Sequence, residues 1–151
     1  MIPALTRRAA AGLVVLSTLL PAAWAQQAPR VKFTTTAGEF VVEVYPDKAP
    51  RTVENFLQYV RDGHYDGTIF HRVMDGFMIQ GGGFTPDMQQ KATRSAIALE
   101  TRPDLKNDRG TLAMARTANP NSATAQFFIN VADNSFLNWG DPRGNPAGDA
   151  P

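Results

Sequence analysis

Short runs with the composition of β-strands recur along the chain after residue 30, and only one segment has the periodicity of a helix. In that segment apolar residues fall at positions i, i+3, i+4 and i+7, which are Val53, Phe56, Leu57 and Val60. Pro50 suits the first turn of this helix and Gly63 suits its C-terminal end. One helix among many short strands is typical of a mainly β fold, a barrel or a sandwich, with the helix covering a sheet.

The strand-like runs are separated by turn residues. Ala37-Gly38 divides the first two runs and Met74-Asp75-Gly76 divides the next two, so each pair is predicted to form a hairpin. Between the later runs lies a mostly polar stretch that predicts a long ordered loop with one short strand. The predicted strands are 31–36, 39–45, 68–73, 77–80, 96–100, 110–116 and 126–131. No repeat or charge block interrupts them, and we predict one domain over residues 26–151.

The first 25 residues have the pattern of a secretory signal peptide. Arg7 and Arg8 give a positive start, residues 9–20 are apolar, and the small-x-small segment 23–25 predicts cleavage before Gln26. An uncleaved anchor is the alternative, although the apolar run is shorter than the ~20 residues of a membrane span. The adjacent arginines leave Sec and twin-arginine export both open. Because the exported chain has no cysteine, we predict a bacterial periplasmic protein that is stabilised by its core alone.

Charge and composition exclude several classes of function. Fifteen Lys and Arg against fourteen Asp and Glu give a net charge of +1, too little for a nucleic-acid partner. The lack of cysteine excludes disulfides, thiol nucleophiles and cysteine-based metal clusters. The two histidines, His64 and His71, are few for a histidine metal site. We therefore expect any catalysis to use ordinary side chains, without metal or cofactor.

The region from residue 70 to residue 137 holds the candidate chemistry. If Phe77, Met78 and Phe128 line one pocket, the alternation of strand side chains allows Arg72 and Gln80 to stand at its rim. An apolar pocket with a few polar groups is the general design of a ligand site. The alternative is an ordinary core with a solvated surface arginine, and periodicity alone leaves both interpretations open.

Five sequence blocks favour the ligand site. They are PRTVENF at 50–56, FHRVMDGFMIQGG at 70–82, GTLAMAR at 110–116, AQFFIN at 125–130 and SFLN at 135–138. In this order they closely resemble the cyclophilin family of peptidyl-prolyl isomerases over roughly residues 31–138. The combination of AMARTA with SATAQFFINVADNSFL is similar to the bacterial periplasmic branch, in agreement with the signal-peptide pattern.

The resemblance implies a cyclophilin-like antiparallel β-barrel with a capping helix, and an enzyme that rotates X-Pro bonds while exported proteins fold. It implies that Arg72 is the catalytic residue and that His71 is a structural or rim residue beside it. The other implied substrate-binding positions are Phe77, Met78, Gln80, Ala115, Arg116, Gln126, Phe128, Phe136 and Leu137. The implied partners are proline-containing unfolded or exported polypeptides, bound by a monomer without nucleic acid, membrane, metal or cofactor.

Three features depart from the family pattern. Phe136 stands where many cyclophilins have a tryptophan that contacts cyclosporin, so we expect weak drug sensitivity. Arg116 replaces a common asparagine, which predicts altered substrate preference rather than altered chemistry. Cyclophilins continue into a strand, a helix and a closing strand that the sequence up to Pro151 lacks, so we expect residues 26–151 alone to be poorly soluble and weakly active. A proline-binding chaperone module without catalysis and an inactive fragment therefore stay open as alternatives.

Overall fold

Six strands, one α-helix and one 3₁₀ helix make up the regular structure. The computed structural model describes residues 28–142, so the predicted signal peptide lies outside the described residues. The elements are β1 (Arg30–Thr35), β2 (Gly38–Glu43), α1 (Pro50–Arg61), β3 (Phe70–Met74), β4 (Met78–Gly81), β5 (Leu112–Met114), β6 (Phe127–Asn130) and the 3₁₀ helix η1 (Ser135–Leu137). Neither helix in this range is long and apolar enough to cross a membrane.

The strands form two antiparallel sheets. One has the order β1-β2, and the other has the order β3-β4-β6-β5. Both predicted hairpins are present, β1-β2 and β3-β4, and the prediction of a mainly β fold with one helix is confirmed. Within residues 28–142 no strand pairing joins the two sheets, so side-chain packing holds them together.

The β1-β2 hairpin turns at Thr36 and Ala37, as the glycine-containing break predicts. Gly38 starts β2 with a φ of 128°, a conformation that residues with a side chain rarely adopt. Phe33 and Phe40 face each other across the two strands, and their rings stack with centroids 4.9 Å apart. The hairpin thereby presents an aromatic face to the rest of the molecule.

Phe127 of β6 lies at the centre of the core. It is 2% exposed, and its ring meets those of Phe33, Phe56, Tyr65 and Phe70 at centroid distances of 5.7, 6.1, 5.3 and 6.1 Å. All four contacts are edge-on, the geometry that the quadrupoles of aromatic rings favour. Because these rings come from β1, α1, the turn before β3 and β3 itself, one side chain joins both sheets to the helix.

Helix α1 buries Val53, Phe56 and Tyr59. The predicted stripe contained Val53 and Phe56 but not Tyr59, which is 2% exposed and accepts a hydrogen bond from the backbone N–H of Arg94 at 2.8 Å. The hydroxyl of a tyrosine finds a partner when the ring is buried, so this residue belongs to the core in spite of its polar end.

The N-terminus of α1 is capped by a residue from a distant loop. Ala49 precedes the helix and offers no side-chain hydrogen bond. Instead the carboxylate of Glu100 accepts the backbone N–H of Arg51 at 3.2 Å, and the backbone N–H and hydroxyl of Thr52 at 2.8 Å each. A negative group at this end also interacts favourably with the helix dipole.

The predicted strand at 96–100 is wrong. This stretch makes only one isolated bridge, between Ile97 and Ala123, within the part of the chain that the structure describes. Its polar groups are used elsewhere, because the N–H of Leu99 donates to the side chain of Asn121 at 2.9 Å and Glu100 caps α1. The other predicted strands are present but start or end a few residues differently.

Gly82, directly after β4, leaves no room for a side chain. Its φ is +83°, and a Cβ atom there would lie 2.8 Å from the ring of Tyr65 and 2.9 Å from the ring of Phe127. Gly110 has a nearly identical φ of +85° with no atom within 4 Å of the same position. Both glycines therefore have the same positive-φ backbone conformation, but only at Gly82 would an added side chain collide with neighbouring atoms.

We predict that Gly82→Ala destabilises the protein by about 1–3 kcal/mol more than Gly110→Ala. Both substitutions place a side chain at positive φ, which costs roughly 1–2 kcal/mol, and only Gly82→Ala also drives a methyl group into two core rings. Urea unfolding of the two variants, followed by circular dichroism, measures the difference. Equal losses at the two positions would contradict the packing argument.

We predict that Glu100→Ala lowers the free energy of unfolding by about 1–2 kcal/mol, because it leaves the first turn of α1 without its cap. Glu100→Gln retains an acceptor oxygen without the charge and should lose less. Glu54→Ala is the matched control, since the exposed ion pair of Glu54 with Arg61 contributes little. An Ala variant at position 100 as stable as the control would refute the capping role.

Candidate active site

One row of side chains crosses the four-stranded sheet from edge to edge. In the strand pairing, Arg72 of β3 is opposite Gln80 of β4, Gln80 is opposite Phe128 of β6, and Phe128 is opposite Ala113 of β5. Directly paired residues of neighbouring strands project to the same face of a sheet. The face opposite to Phe127 therefore presents a cation, an amide, an aromatic ring and a methyl group in line.

Arg72 is exposed and lines a broad cleft. Within residues 28–142 its guanidinium takes part in no hydrogen bond or ion pair with another side chain. The strand pairing of β3 shifts register between Phe70 and Arg72, and irregularities of this kind are common beside binding sites. The positive group is thus available to a bound molecule.

Apolar side chains form the floor beside Arg72. Met78 is 2% exposed, and Phe77, Phe128 and Leu137 are half-buried around it. Phe136 stands behind Phe77, with ring centroids 5.6 Å apart. The cleft has a volume of about 1290 Å³ and extends over β2 and the first turn of α1. We refer to the part of the cleft that is lined by eight of its residues as the groove: Arg72, Phe77, Met78, Gln80, Ala115, Arg116, Phe128 and Leu137.

A pair of glutamines forms the polar side of the groove. The Nε2 of Gln80 donates to the Oε1 of Gln126 at 2.9 Å, and the N–H of Ala115 donates to the backbone carbonyl of Gln126 at 2.9 Å. Gly83 passes so close that a Cβ atom there would lie 2.5 Å from the Cγ of Gln126. This close approach confines the Gln126 side chain and thereby orients the amide of Gln80.

His71 lies beside the groove rather than in it. It is half-buried, and its ring centroid is 4.6 Å from that of Phe84. Burial, and after it the positive charge of Arg72, lowers the pKa of His71 below its usual value. The ring is therefore neutral near pH 7, which suits the structural or rim position implied by the sequence.

Eight of the eleven predicted site residues line the cleft; Gln126 and Phe136 contact lining residues, and His71 precedes Arg72 in β3. Arg116 stands exposed beyond the end of β5, where its Nη1 donates to the carbonyl of Thr117 at 3.1 Å. No three metal-ligating side chains converge within residues 28–142.

Two features of the groove were missed from the sequence. Ala113 belongs to the row of Arg72 and Phe128, and strand alternation from Ala115 could have identified it, because residues two apart share a face. The buried Asn134, which donates to the carbonyl of Phe77, lies outside the strands and carries no periodic signal.

Comparisons with known proteins identify the family. The family model for cyclophilin type peptidyl-prolyl cis-trans isomerase/CLD matches residues 30–141. Peptidyl-prolyl cis-trans isomerase cyp18 of Streptomyces antibioticus is 66% identical over 108 residues, which cover 72% of this chain and 65% of that protein. Peptidyl-prolyl cis-trans isomerase B of Escherichia coli K12 is 63% identical over 109 residues, covering 72% of this chain and 66% of that protein.

A solved structure agrees with both sequence relatives. A cyclophilin type peptidyl-prolyl cis-trans isomerase of Cryptosporidium parvum, crystallised in the presence of the dipeptide Ala-Pro, has 32% sequence identity and a TM-score of 0.62. The match covers 73% of this chain and 72% of that one. The chain spans about two thirds of the length of the curated relatives that it matches. The matched motifs, the shared fold and the groove agree, and the chain belongs to the cyclophilin-type peptidyl-prolyl cis-trans isomerase family.

Proposed function

We propose that this protein is a peptidyl-prolyl cis-trans isomerase and that Arg72 is its catalytic residue. The observation that carries the proposal is the row Arg72, Gln80 and Phe128, in which an exposed guanidinium stands beside an oriented amide and an aromatic floor. The names of the relatives support the same activity, since each is a peptidyl-prolyl cis-trans isomerase.

The reaction needs a group that stabilises a twisted amide. Rotation about an X-Pro bond breaks amide resonance, and the barrier is ~18–20 kcal/mol. As the bond twists, the lone pair of the prolyl nitrogen is no longer delocalised and can accept a hydrogen bond. A guanidinium beside that nitrogen stabilises the twisted form and not the planar one, which is the differential binding that lowers a barrier.

Arginine suits this role better than a titratable group. Its charge is permanent and its donors are held in a rigid plane, so the hydrogen bond does not depend on a proton transfer. A charge-assisted hydrogen bond contributes about 1.5–3 kcal/mol, which corresponds to roughly 10-fold to 100-fold in rate. No general base and no covalent intermediate enter the reaction, because no bond to a heavy atom is formed.

The remaining acceleration comes from holding the substrate. Phe77, Met78, Phe128 and Leu137 hold the proline ring, and Phe136 supports Phe77 from behind. One N–H of the Gln80 amide is used by Gln126, and the other is left to bind the carbonyl before the proline. Backbone groups near Ala115 hold the substrate residue that precedes the proline. Arg116, at the groove edge, influences which residue is preferred at that position. His71 supports the rim of the groove.

The proposed substrates are proline-containing segments of unfolded or exported polypeptides, bound by a monomer. A related cyclophilin from Cryptosporidium parvum was crystallised in the presence of the dipeptide Ala-Pro, which supports a proline-containing substrate. We further propose that residues 1–25 are a signal peptide and that the protein acts in the bacterial periplasm, as a folding catalyst for exported proteins. The paired arginines, the apolar run and the small-x-small segment support export.

We predict that Arg72→Ala lowers kcat/KM about 10-fold to 100-fold, because the twisted amide loses its charge-assisted hydrogen bond. Arg72→Lys, which keeps the charge but not the planar fork, should fall between Ala and the natural protein. Exchange NMR spectroscopy on a proline-containing peptide, with the full protein, measures both the rate of X-Pro rotation and the affinity for the peptide.

Arg51→Ala is the matched control, since Arg51 is an exposed arginine on α1 that does not line the cleft. An Arg72→Ala variant as fast as this control would refute the catalytic role. A natural protein that binds the peptide without accelerating rotation would instead identify a proline-binding chaperone module.

We predict that the protein, expressed in a Gram-negative bacterium, is recovered from the periplasmic fraction with Gln26 as its first residue. Ala25→Phe should block cleavage, because the signal peptidase site needs a small residue there. Arg30→Ala is the control, since Arg30 is exposed and lies beyond the cleavage site, so this change should not prevent cleavage. N-terminal sequencing and cell fractionation give the result. A cytoplasmic protein that retains residues 1–25 would contradict the export proposal.

A further inference from the structure

Four asparagines and one threonine form a polar cluster next to the groove, and two of the asparagines are buried. We call Asn107, Thr111, Asn130, Asn134 and Asn138 the asparagine cluster. Asn130 is 1% exposed and Asn134 is 3% exposed, so their amides are removed from water. A buried amide destabilises the fold unless its hydrogen bonds are made, and the arrangement of these bonds therefore has a structural purpose.

Both N–H groups of each buried amide have an acceptor. Asn134 Nδ2 donates to the carbonyl of Phe77 at 2.9 Å and to Asn130 Oδ1 at 2.6 Å. Asn130 Nδ2 donates to Thr111 Oγ1 at 2.9 Å and to Asn107 Oδ1 at 3.3 Å. If the Asn134 amide were reversed, its oxygen would face the carbonyl oxygen of Phe77, and neither could donate a hydrogen bond. The need for a donor at this point therefore fixes the orientation of the Asn134 amide and, through it, that of Asn130.

The cluster holds both ends of η1. Before η1, the N–H of Asn134 donates to the carbonyl of Asn107 at 2.8 Å. After η1, the Oδ1 of Asn138 accepts the N–H of Asn107 at 2.7 Å. A three-residue 3₁₀ helix has little stability of its own, so the position of η1 is set by these flanking bonds.

The same cluster fixes the start of β4. The carbonyl of Phe77 accepts two hydrogen bonds, from Asn134 Nδ2 at 2.9 Å and from the N–H of Val131 at 3.0 Å. This peptide group carries the Phe77 side chain, whose ring packs on Phe136 of η1. One side chain, Asn134, thus connects the two segments that supply the aromatic wall of the groove.

We propose that Asn134, with Asn130 behind it, is a positioning residue that sets the spacing of Phe77, Phe136 and Leu137 and so determines how tightly the groove holds a proline ring. This inference rests on the proposed function of the groove. Neither asparagine bonds to Arg72 or Gln80 within the described residues, so the cluster acts on substrate affinity and not on the chemical step.

The test is one substitution made at two positions. Asn134→Asp keeps the shape and removes both donors, so we expect KM to rise about fivefold to tenfold, the loss of roughly one hydrogen bond, with kcat changed less than twofold. Asn119→Asp, at an exposed asparagine outside the cleft, keeps the oxygen that accepts the N–H of Asn121 and should leave KM unchanged. If Asn134→Asp does not fold, Asn134→Ala removes the donors without burying a charge. This variant is expected to show the same raised KM with a nearly unchanged kcat.

Two further measurements separate positioning from stability and from the proposed activity. Glu100→Ala, destabilised at α1, removes hydrogen bonds to Arg51 and Thr52 and none to the cluster, so it should keep the natural KM. NMR contacts between the rings of Phe77 and Phe136, and the affinity for the dipeptide Ala-Pro, are measured in every variant and do not require turnover. Lost ring contacts with weakened dipeptide binding support the proposal even in a protein without isomerase activity. Unchanged contacts and affinity in the Asn134 variants, or a fall in kcat alone, overturn it.

Discussion

The edge-on packing of four aromatic rings on Phe127 is the interaction on which the rest of the structure depends. Phe127 holds β6 against β1, α1 and β3, and a strand fixed at one residue is fixed at its neighbours. Because side chains alternate along a strand, burial of Phe127 turns Phe128 to the opposite face, towards Gln80 and Arg72. A slip of one residue would exchange the core residue for the groove residue, so the same contact that stabilises the sheet also specifies the site.

Close approaches of the backbone refine this arrangement. Gly82 admits the rings of Tyr65 and Phe127, and Gly83 admits the side chain of Gln126. The backbone just after β4 and the paired side chains of Gln80 and Gln126 are therefore held in place by packing and hydrogen bonds. The groove thus combines a confined polar side with Arg72, whose guanidinium makes no hydrogen bond or ion pair with a side chain within residues 28–142. Packed surroundings and an accessible guanidinium are the arrangement that differential binding of a twisted amide requires.

Much of this architecture could be predicted from the sequence, because local pattern decides it. The helix at Pro50, both hairpins and the mainly β class followed from periodicity and turn residues. The strand at 96–100 was wrong because Glu100 is bound to α1, a contact across 48 positions that no local window contains. The row from Arg72 to Ala113 depends on strand order, and Asn134 depends on a carbonyl 57 residues earlier, so neither could be derived without the fold. The site residues came from family motifs, which carry that long-range information indirectly.

The cap on α1 has a consequence for the order in which the chain folds. A helix of twelve residues is marginal in water by itself, and this one lacks a capping side chain at Ala49. The N–H groups of its first turn find their acceptor, Glu100, only when the loop that carries Glu100 has closed over α1. This happens after the chain between α1 and Glu100 has become ordered. Loop closure over such a distance slows the formation of the contact. We therefore expect α1 and the loop that carries Glu100 to become ordered together, in one late cooperative step of folding. We do not expect α1 to form early, before the sheets.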